Sequence, residues 1–205
     1  MRHWMVLGLL ACACGSSNDG SQDSGTPAGT GTITGTVNGH GLTVKDAVFG
    51  IAPGSFNVNV VAGDRTGLCD LLTGTTIPGP TTVFGFGMLN LMTATTPVAV
   101  VLGDYGFADL FHLPPFTSPG AGKWWDGAFA VATNCTPTGT FADGGTVTVT
   151  QVGSTTTHLK VTLTNITFGT DTLNGSVEAI YCDALKVQSP PCGGISLLAR
   201  PPTTE

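Results

Sequence analysis

The stretch "HLKVTLT" (158–164) puts Leu159, Val161 and Leu163 on one face and His158, Lys160, Thr162 and Thr164 on the other. Side chains of an extended chain point alternately to opposite sides, so this strict alternation describes a strand with one buried and one solvated face. A half-buried strand belongs to an antiparallel sheet, since parallel sheets are covered on both faces and read as continuous apolar runs. "TVTVT" (146–150) before it and "SVEAIYC" (176–182) after it extend the reading to a C-terminal meander of three strands.

The same period recurs toward the N-terminus. "FNVNV" (56–60) alternates Phe56, Val58 and Val60 with Asn57 and Asn59. In "TITGTVNGHGLTV" (32–44), Ile33 and Val37 precede Asn38-Gly39, and Leu42 and Val44 follow it. Both turn residues accept positive φ, which makes Asn-Gly a strong hairpin signal. "TPVAVVLGD" (96–104) and "GAFAVAT" (127–133) are uniformly apolar and read as central strands. The one helix candidate is "DRTGLCDLL" (64–72), with Asp64 as N-cap, Leu68, Leu71 and Leu72 inward, and Gly67 limiting its length. About eight to ten short strands predict an all-β fold. Their irregular spacing and Pro-rich crossings such as "TTIPGPTT" (75–82) favour an antiparallel β-sandwich with one short helix, a closed barrel being the alternative.

Composition agrees with a β-rich exported domain. Charged residues are 10% of the 205, against about 25% for an average soluble protein, while Thr, Val and Gly are abundant. Seven Lys and Arg against 13 Asp and Glu leave a net charge of −6, with no basic stripe of the kind nucleic acid requires.

Residues 1–13 have the form of a secretory signal. Arg2 supplies the positive start, and Trp4 to Ala13 is an uncharged run far short of the roughly 20 residues that span a bilayer. Its end, Ala-Cys-Ala-Cys-Gly-Ser-Ser, resembles the lipobox of bacterial lipoproteins, in which a cysteine is acylated and becomes the mature N-terminus. Cys12 has Leu9 at the better lipobox spacing. Cys14 leaves a longer signal and an even number of other cysteines (69, 135, 182 and 192), and is the residue chosen, with Cys12 as alternative. Neither is followed by Asp, so the resemblance implies an outer-membrane lipid anchor. Residues 14–32, the lipidated residue and "GSSNDGSQDSGTPAGTGT", carry no large apolar side chain and read as a flexible linker. The folded domain is then 33–200, with a tail at 201–205.

Taken with "GTVNG..LTVKDAV" (35–48), "GDRTGLCDLL" (63–72) and "LNGSVEAIYC" (173–182), that N-terminus makes the chain resemble the Thr/Gly-rich surface lipoproteins of Gram-negative bacteria, of the kind abundant in myxobacteria. No activity is assigned to that family, so the resemblance implies a compartment and a β fold and carries no catalytic residue.

Export into an oxidising space favours disulfides. The short loop "CDALKVQSPPC" (182–192) suggests Cys182–Cys192, which leaves Cys69–Cys135 to tie the helix to the end of "GAFAVATNC" (127–135). His40, His112 and His158 are isolated and show no metal-ligand spacing, so no metal or other cofactor is expected. There is no G-x-S-x-G elbow. Asp104, Asp109 and Asp126 are the carboxylates that could cluster as a hydrolytic pair, although loop aspartates more often cap turns. The one compositional cluster is aromatic, with Tyr105, Phe107, Phe111, Phe116, Trp124 and Trp125 within 21 residues. Tyr105, Trp124 and Trp125 could stack on a sugar or another small ligand, or plug the core. Two functions follow from these features. One is a non-enzymatic, membrane-anchored lipoprotein with a structural, adhesive or interaction role toward an envelope protein; the other is a glycan- or small-ligand-binding module.

Overall fold

Leu159, Val161 and Leu163 are buried side by side in a strand running from Leu159 to Phe168, as their alternation requires. The computed structural model describes residues 28–51, 57–73, 79–110, 118–133 and 136–186. Its strands are β1 (Thr30–Gly35), β2 (Asp46–Ile51), β3 (Val58–Gly63), β4 (Thr81–Thr93), β5 (Thr96–Val98), β6 (Gly103–Phe107), β7 (Gly122–Thr133), β8 (Thr136–Phe141), β9 (Gly144–Gln151), β10 (Leu159–Phe168) and β11 (Asp171–Tyr181). A helix, α1 (Leu68–Thr73), and a 3₁₀ turn, Asp183–Lys186, complete the described elements. The all-β class with one short helix is as expected.

Of the two architectures left open by the sequence, the closed barrel is adopted rather than the favoured sandwich. β4, β3, β2, β11, β10, β9, β6 and β7 pair in that order, and β7 returns to β4 to close an eight-stranded ring. The ring nevertheless keeps a sandwich's parts. β2-β3-β4-β7, edged by β5 and β8, is one antiparallel sheet, and β1-β11-β10-β9-β6 is another. Two parallel seams join them: Ile180↔Val48 with Tyr181↔Phe49, and Gly106↔Trp124 with Phe107↔Trp125. Each seam is two residue pairs long.

The meander β9-β10-β11 pairs in the predicted order, with register shifts between Leu163 and Ile166 against β11, and between Lys160 and Val161 and between Thr164 and Thr167 against β9. A β-bulge between Leu163 and Ile166, with Asn165 at φ 50°, turns Ile166 and Phe168 inward where strict alternation would have turned them out. The Asn38-Gly39 turn forms as expected, at φ 51° and 78°, and Val37 and His40 exchange backbone hydrogen bonds across it. Its arms do not continue as a hairpin, because β1 pairs instead with β11, from Thr30↔Glu178 to Gly35↔Leu173. β1 thus begins at Thr30, inside the stretch assigned to the linker. The part of β1 inside that stretch, residues 30–32, pairs with β11 without an apolar side chain, and just before it a Cβ on Gly29 would lie 1.9 Å from the Ala47 carbonyl oxygen.

The longest strand, β4, has no counterpart in the sequence reading. Gly85 and Gly87 break its apolar pattern, and on β7 a Cβ on Gly127, opposite Phe86, would lie 2.6 Å from the Gly85 oxygen. "GAFAVAT" is central, buried from Gly127 through Ala130 within β7. "TPVAVVLGD" is not. Pro97 sits in the three-residue edge strand β5, and Val101 and Leu102 are exposed.

β2 and β3 are buried on both faces because α1 and the 3₁₀ turn cover the outside of the wall. Leu68, Leu72 and Leu185 pack there on Val48, Val61 and Val83. Cys69 of α1 is bonded to Cys182, with 5.6 Å between Cα atoms. Both expected pairings, Cys69–Cys135 and Cys182–Cys192, are therefore corrected. Proximity in sequence suggested them, whereas the parallel seam carries the end of β11 to β2, directly under α1; the Cys182 N–H donates to the Phe49 carbonyl there. Cys12, Cys14, Cys135 and Cys192 lie outside the described residues.

Candidate functional sites

Tyr105 and Trp125 point into the barrel and are fully buried. The Tyr105 hydroxyl accepts from the Val101 N–H at 2.9 Å and donates to the Val101 carbonyl at 3.1 Å, and its burial pushes the phenol above its ordinary pKa. The Lys123 ammonium lies 5.8 Å from the centre of the same ring and donates to the Leu102 carbonyl at 2.7 Å. Trp125 Nε1 donates to the Gly145 carbonyl at 3.1 Å, and Phe107 meets its ring edge-on at 5.5 Å. Both polar tips are satisfied inside the protein, so neither ring can stack on a ligand arriving from solvent. Two of the three proposed ligand residues are thereby corrected to core.

Trp124 is different. Alternation along β7 turns it to the outer wall, half-buried, with Nε1 donating to the Gly120 carbonyl at 3.0 Å. Its indole crosses the backbone of Gly122, where a Cβ would come within 3.0 Å of the ring. Gly106 faces it across the seam, and Thr146 is the next residue in that row. Phe111 and Phe116 lie outside the described residues.

Asp104 and Asp126 do not come together as a hydrolytic pair. Asp104 is exposed and accepts from the Thr148 hydroxyl at 2.7 Å. The β6–β7 register sets it level with Gly122, four residues from Asp126, or about 13 Å of strand. Glycoside hydrolysis needs carboxyls within about 5–9.5 Å. Asp109 sits in the segment after β6, beside Leu110.

Asp126 is instead one of two buried aspartates among the described residues, and the two share an arrangement. At the first seam, β1 and then β2 occupy successive stretches of one edge of β11, and Asp46 (3% exposed) stands at the handover. Its Oδ1 accepts from the N–H groups of Gly29 (2.9 Å) and Ala47 (2.8 Å), and its Oδ2 from that of Leu68 (2.9 Å). At the second seam, β6 and then β8 share one edge of β7, and Asp126 (2% exposed) stands between them. It accepts from Gly127 N–H at 2.6 Å and Leu110 N–H at 2.9 Å. Where one strand replaces another along an edge, ladder hydrogen bonds are interrupted, and in each case a carboxylate supplies acceptors to buried donors that need them. Asp46 also takes the place expected for Asp64 at the start of α1. Gly67, at φ 70°, turns the chain before Leu68, and Asp64 accepts from the Thr82 N–H instead. Sequence reasoning missed Asp46 because its partners lie 17 and 22 residues away.

His40 lies in the Asn-Gly turn, and His112 is outside the described residues. His158 Nδ1 is 2.6 Å from Glu178 Oε1, and Lys160 Nζ is 3.1 Å from Oε2. The hydrogen bond from His158, and then that from Lys160, hold the Glu178 carboxyl below its usual pKa. Among the described residues, no group of three or more His, Cys, Asp or Glu side chains is placed to hold a metal ion. No family model matches the chain, and neither a curated protein nor a solved structure matches it.

Proposed function

We propose that the protein is a non-enzymatic lipoprotein, anchored through Cys14 to the outer membrane, whose barrel has a structural, adhesive or interaction role in the envelope. The observation that carries the non-enzymatic part is the packed interior. Trp125, Tyr105, Phe49, Phe84, Phe86 and Met88 are all fully buried, so side chains occupy the space where a ligand-binding barrel keeps its cavity. The Cys69–Cys182 bond supports export, because such bonds persist in oxidising compartments. Mass spectrometry of the mature N-terminus tests the anchor. Acylated Cys14 is expected; acylated Cys12 would move the site and keep the reading, and an unacylated N-terminus would end it.

A second reading, a glycan-binding module, now rests on Trp124. Its ring is fixed on the outer wall, in the row of Thr146 and close to the Asp104–Thr148 pair. An aromatic plane beside hydroxyl and carboxylate groups is suited to stacking on a sugar. Glycan-array binding that disappears in Trp124→Ala would support it, and a flat array for the wild type would remove it.

A further inference from the structure

The exposed large apolar side chains among the described residues are Met92 (65% exposed), Leu102 (57%), Val101 (43%) and Val152 (42%). Scattered singly they would need no explanation. Here the registers gather them on one rim. β4, β7, β6 and β9 are successive neighbours in the wall. Leu91↔Gly122 is the last pair of the β4–β7 ladder and sets Met92 one residue past it, level with the start of β7. Gly103↔Val149 sets Leu102 beside Thr150 and brings Val101 close to Val152 at the end of β9. The segments that build this rim, 92–103, 118–122 and 152–157, contain no charged residue. The first charge beyond Gly122 is Lys123, whose ammonium is tied to the Leu102 carbonyl on the same rim.

Ala28 and Gly29, the first described residues, lie toward this end. Thr30↔Glu178, Glu178↔Lys160 and Lys160↔Gln151 form one row across the wall, and Gln151 adjoins Val152. β1 runs away from the rim as it goes from Thr30 to Gly35, so its Thr30 end is the one nearer the rim. Three strand spacings, about 14 Å, separate Thr30 from Gln151. A Gly/Ser-rich coil of the length between Cys14 and Ala28 spans about 20 Å, which is enough to cover that offset.

From this placement we infer that the rim formed by Met92, Val101, Leu102 and Val152 rests on the lipid bilayer, with Lys123 at the level of the headgroups. The inference rests on the anchored reading. A tether of this length holds the rim at an effective concentration in the millimolar range, so a contact too weak to recruit the free domain still forms in the anchored one. Apolar side chains at an uncharged edge, backed by a lysine whose stem lies along the rim, have the chemistry of a bilayer interface.

Hydrogen exchange on the full lipidated chain in phosphatidylethanolamine/phosphatidylglycerol vesicles tests it, with the unlipidated Cys12→Ser/Cys14→Ser chain as reference. Amides of 92–102 and 152–157 are expected to exchange at least about twofold more slowly in the anchored protein, while those of the opposite end, 169–171, are unchanged. Met92→Asp/Leu102→Asp, at exposed sites, should fold with an unaltered melting temperature, float with vesicles and lose the protection. A chain that is lipidated and floats but shows equal exchange at the rim overturns the inference and leaves the anchor standing. An unlipidated chain overturns both. Protection that instead follows protein concentration in the absence of lipid assigns the rim to a second copy and also overturns it.

Discussion

Replacing Asp46 with asparagine exchanges one carboxylate oxygen for an amide and removes the charge with almost no change in volume, at the point where β1, β2 and α1 meet. The remaining oxygen can keep the N–H groups of Gly29 and Ala47, which now share Oδ1. The amide nitrogen then faces the Leu68 N–H, donor against donor. Hydrogen bonds to a charged acceptor contribute about 1.5–3 kcal/mol each, and the two that survive become neutral ones worth about half as much. These losses come to about 3–6 kcal/mol, offset in part by the desolvation cost that the buried charge no longer carries, so we expect Asp46→Asn to lose about 2–4 kcal/mol. Asp46→Ala should lose slightly more, since it leaves all three buried donors without their acceptor. With an m-value of about 2 kcal/mol/M for a domain of this size, the asparagine variant should unfold in urea about 1–2 M earlier than wild type with the slope unchanged. Emission from buried Trp125 reports the transition. A midpoint equal to that of wild type would refute the claim that this carboxylate closes the seam. A lowered m-value would mean that the seam opens separately from the rest of the barrel.

Other perturbations test other links. The Cys69–Cys182 bond closes a loop of 113 residues, which by chain entropy contributes about 5 kcal/mol, so Cys69→Ser/Cys182→Ser should melt about 10–20 °C lower by calorimetry. The Asp143 carboxyl is held below its usual pKa, first by the Thr167 hydroxyl and then by the Gly169 N–H. A carboxyl depressed in the folded state stabilises above its unfolded pKa and loses that contribution as pH falls through the folded value. Stability should therefore decline below about pH 4, and Asp143→Asn should flatten that limb in thermal melts taken across pH. Gly127→Ala places a Cβ against the Gly85 carbonyl and Phe86, and should separate β4 from β7 enough to lower the melting temperature by several degrees, whereas Gly39→Ala meets no atom and strains only a positive φ.

The parts of the fold legible in the sequence are those where one face of a strand meets water. β9, β10 and β11 each keep a solvated face, so the period of two survives in "TVTVT", "HLKVTLT" and "SVEAIYC". Where both faces are covered the period disappears. β4 is illegible because its residues from Val83 to Met88 are all buried, so no polar alternation marks it, and Gly85 and Gly87 interrupt the apolar run. "TPVAVVLGD" misled in the other direction, since an apolar run reads as a core strand whether it lies inside the wall or on an uncharged rim. The aromatic cluster was legible as a cluster but not as to direction. Adjacent Trp124 and Trp125 must point to opposite faces of β7, and the sequence does not say which faces inward.

Closure was the least legible feature, and the reason lies in how little chain performs it. Each sheet is held by long antiparallel ladders, from local meanders and from β4 against β7, and these strands carry recognisable patterns. The barrel as distinct from the sandwich depends on four residue pairs in two parallel seams, too short to leave any period. A seam of that length supplies few ladder hydrogen bonds, and it begins where the previous strand on the same edge has just ended, so it exposes donors as well as pairing them. Asp46 and Asp126 answer those donors with acceptors that a continuous ladder would not require. Each is an ordinary aspartate in sequence, and each acquires its role only when Gly29 and Leu68, or Leu110, are brought to it from elsewhere in the chain. The two carboxylates thus satisfy donors at seams that no hydrophobic period marks. On that basis Asp126→Asn should weaken the second seam as Asp46→Asn weakens the first, and the two losses should add, since the residues lie on different seams of the barrel.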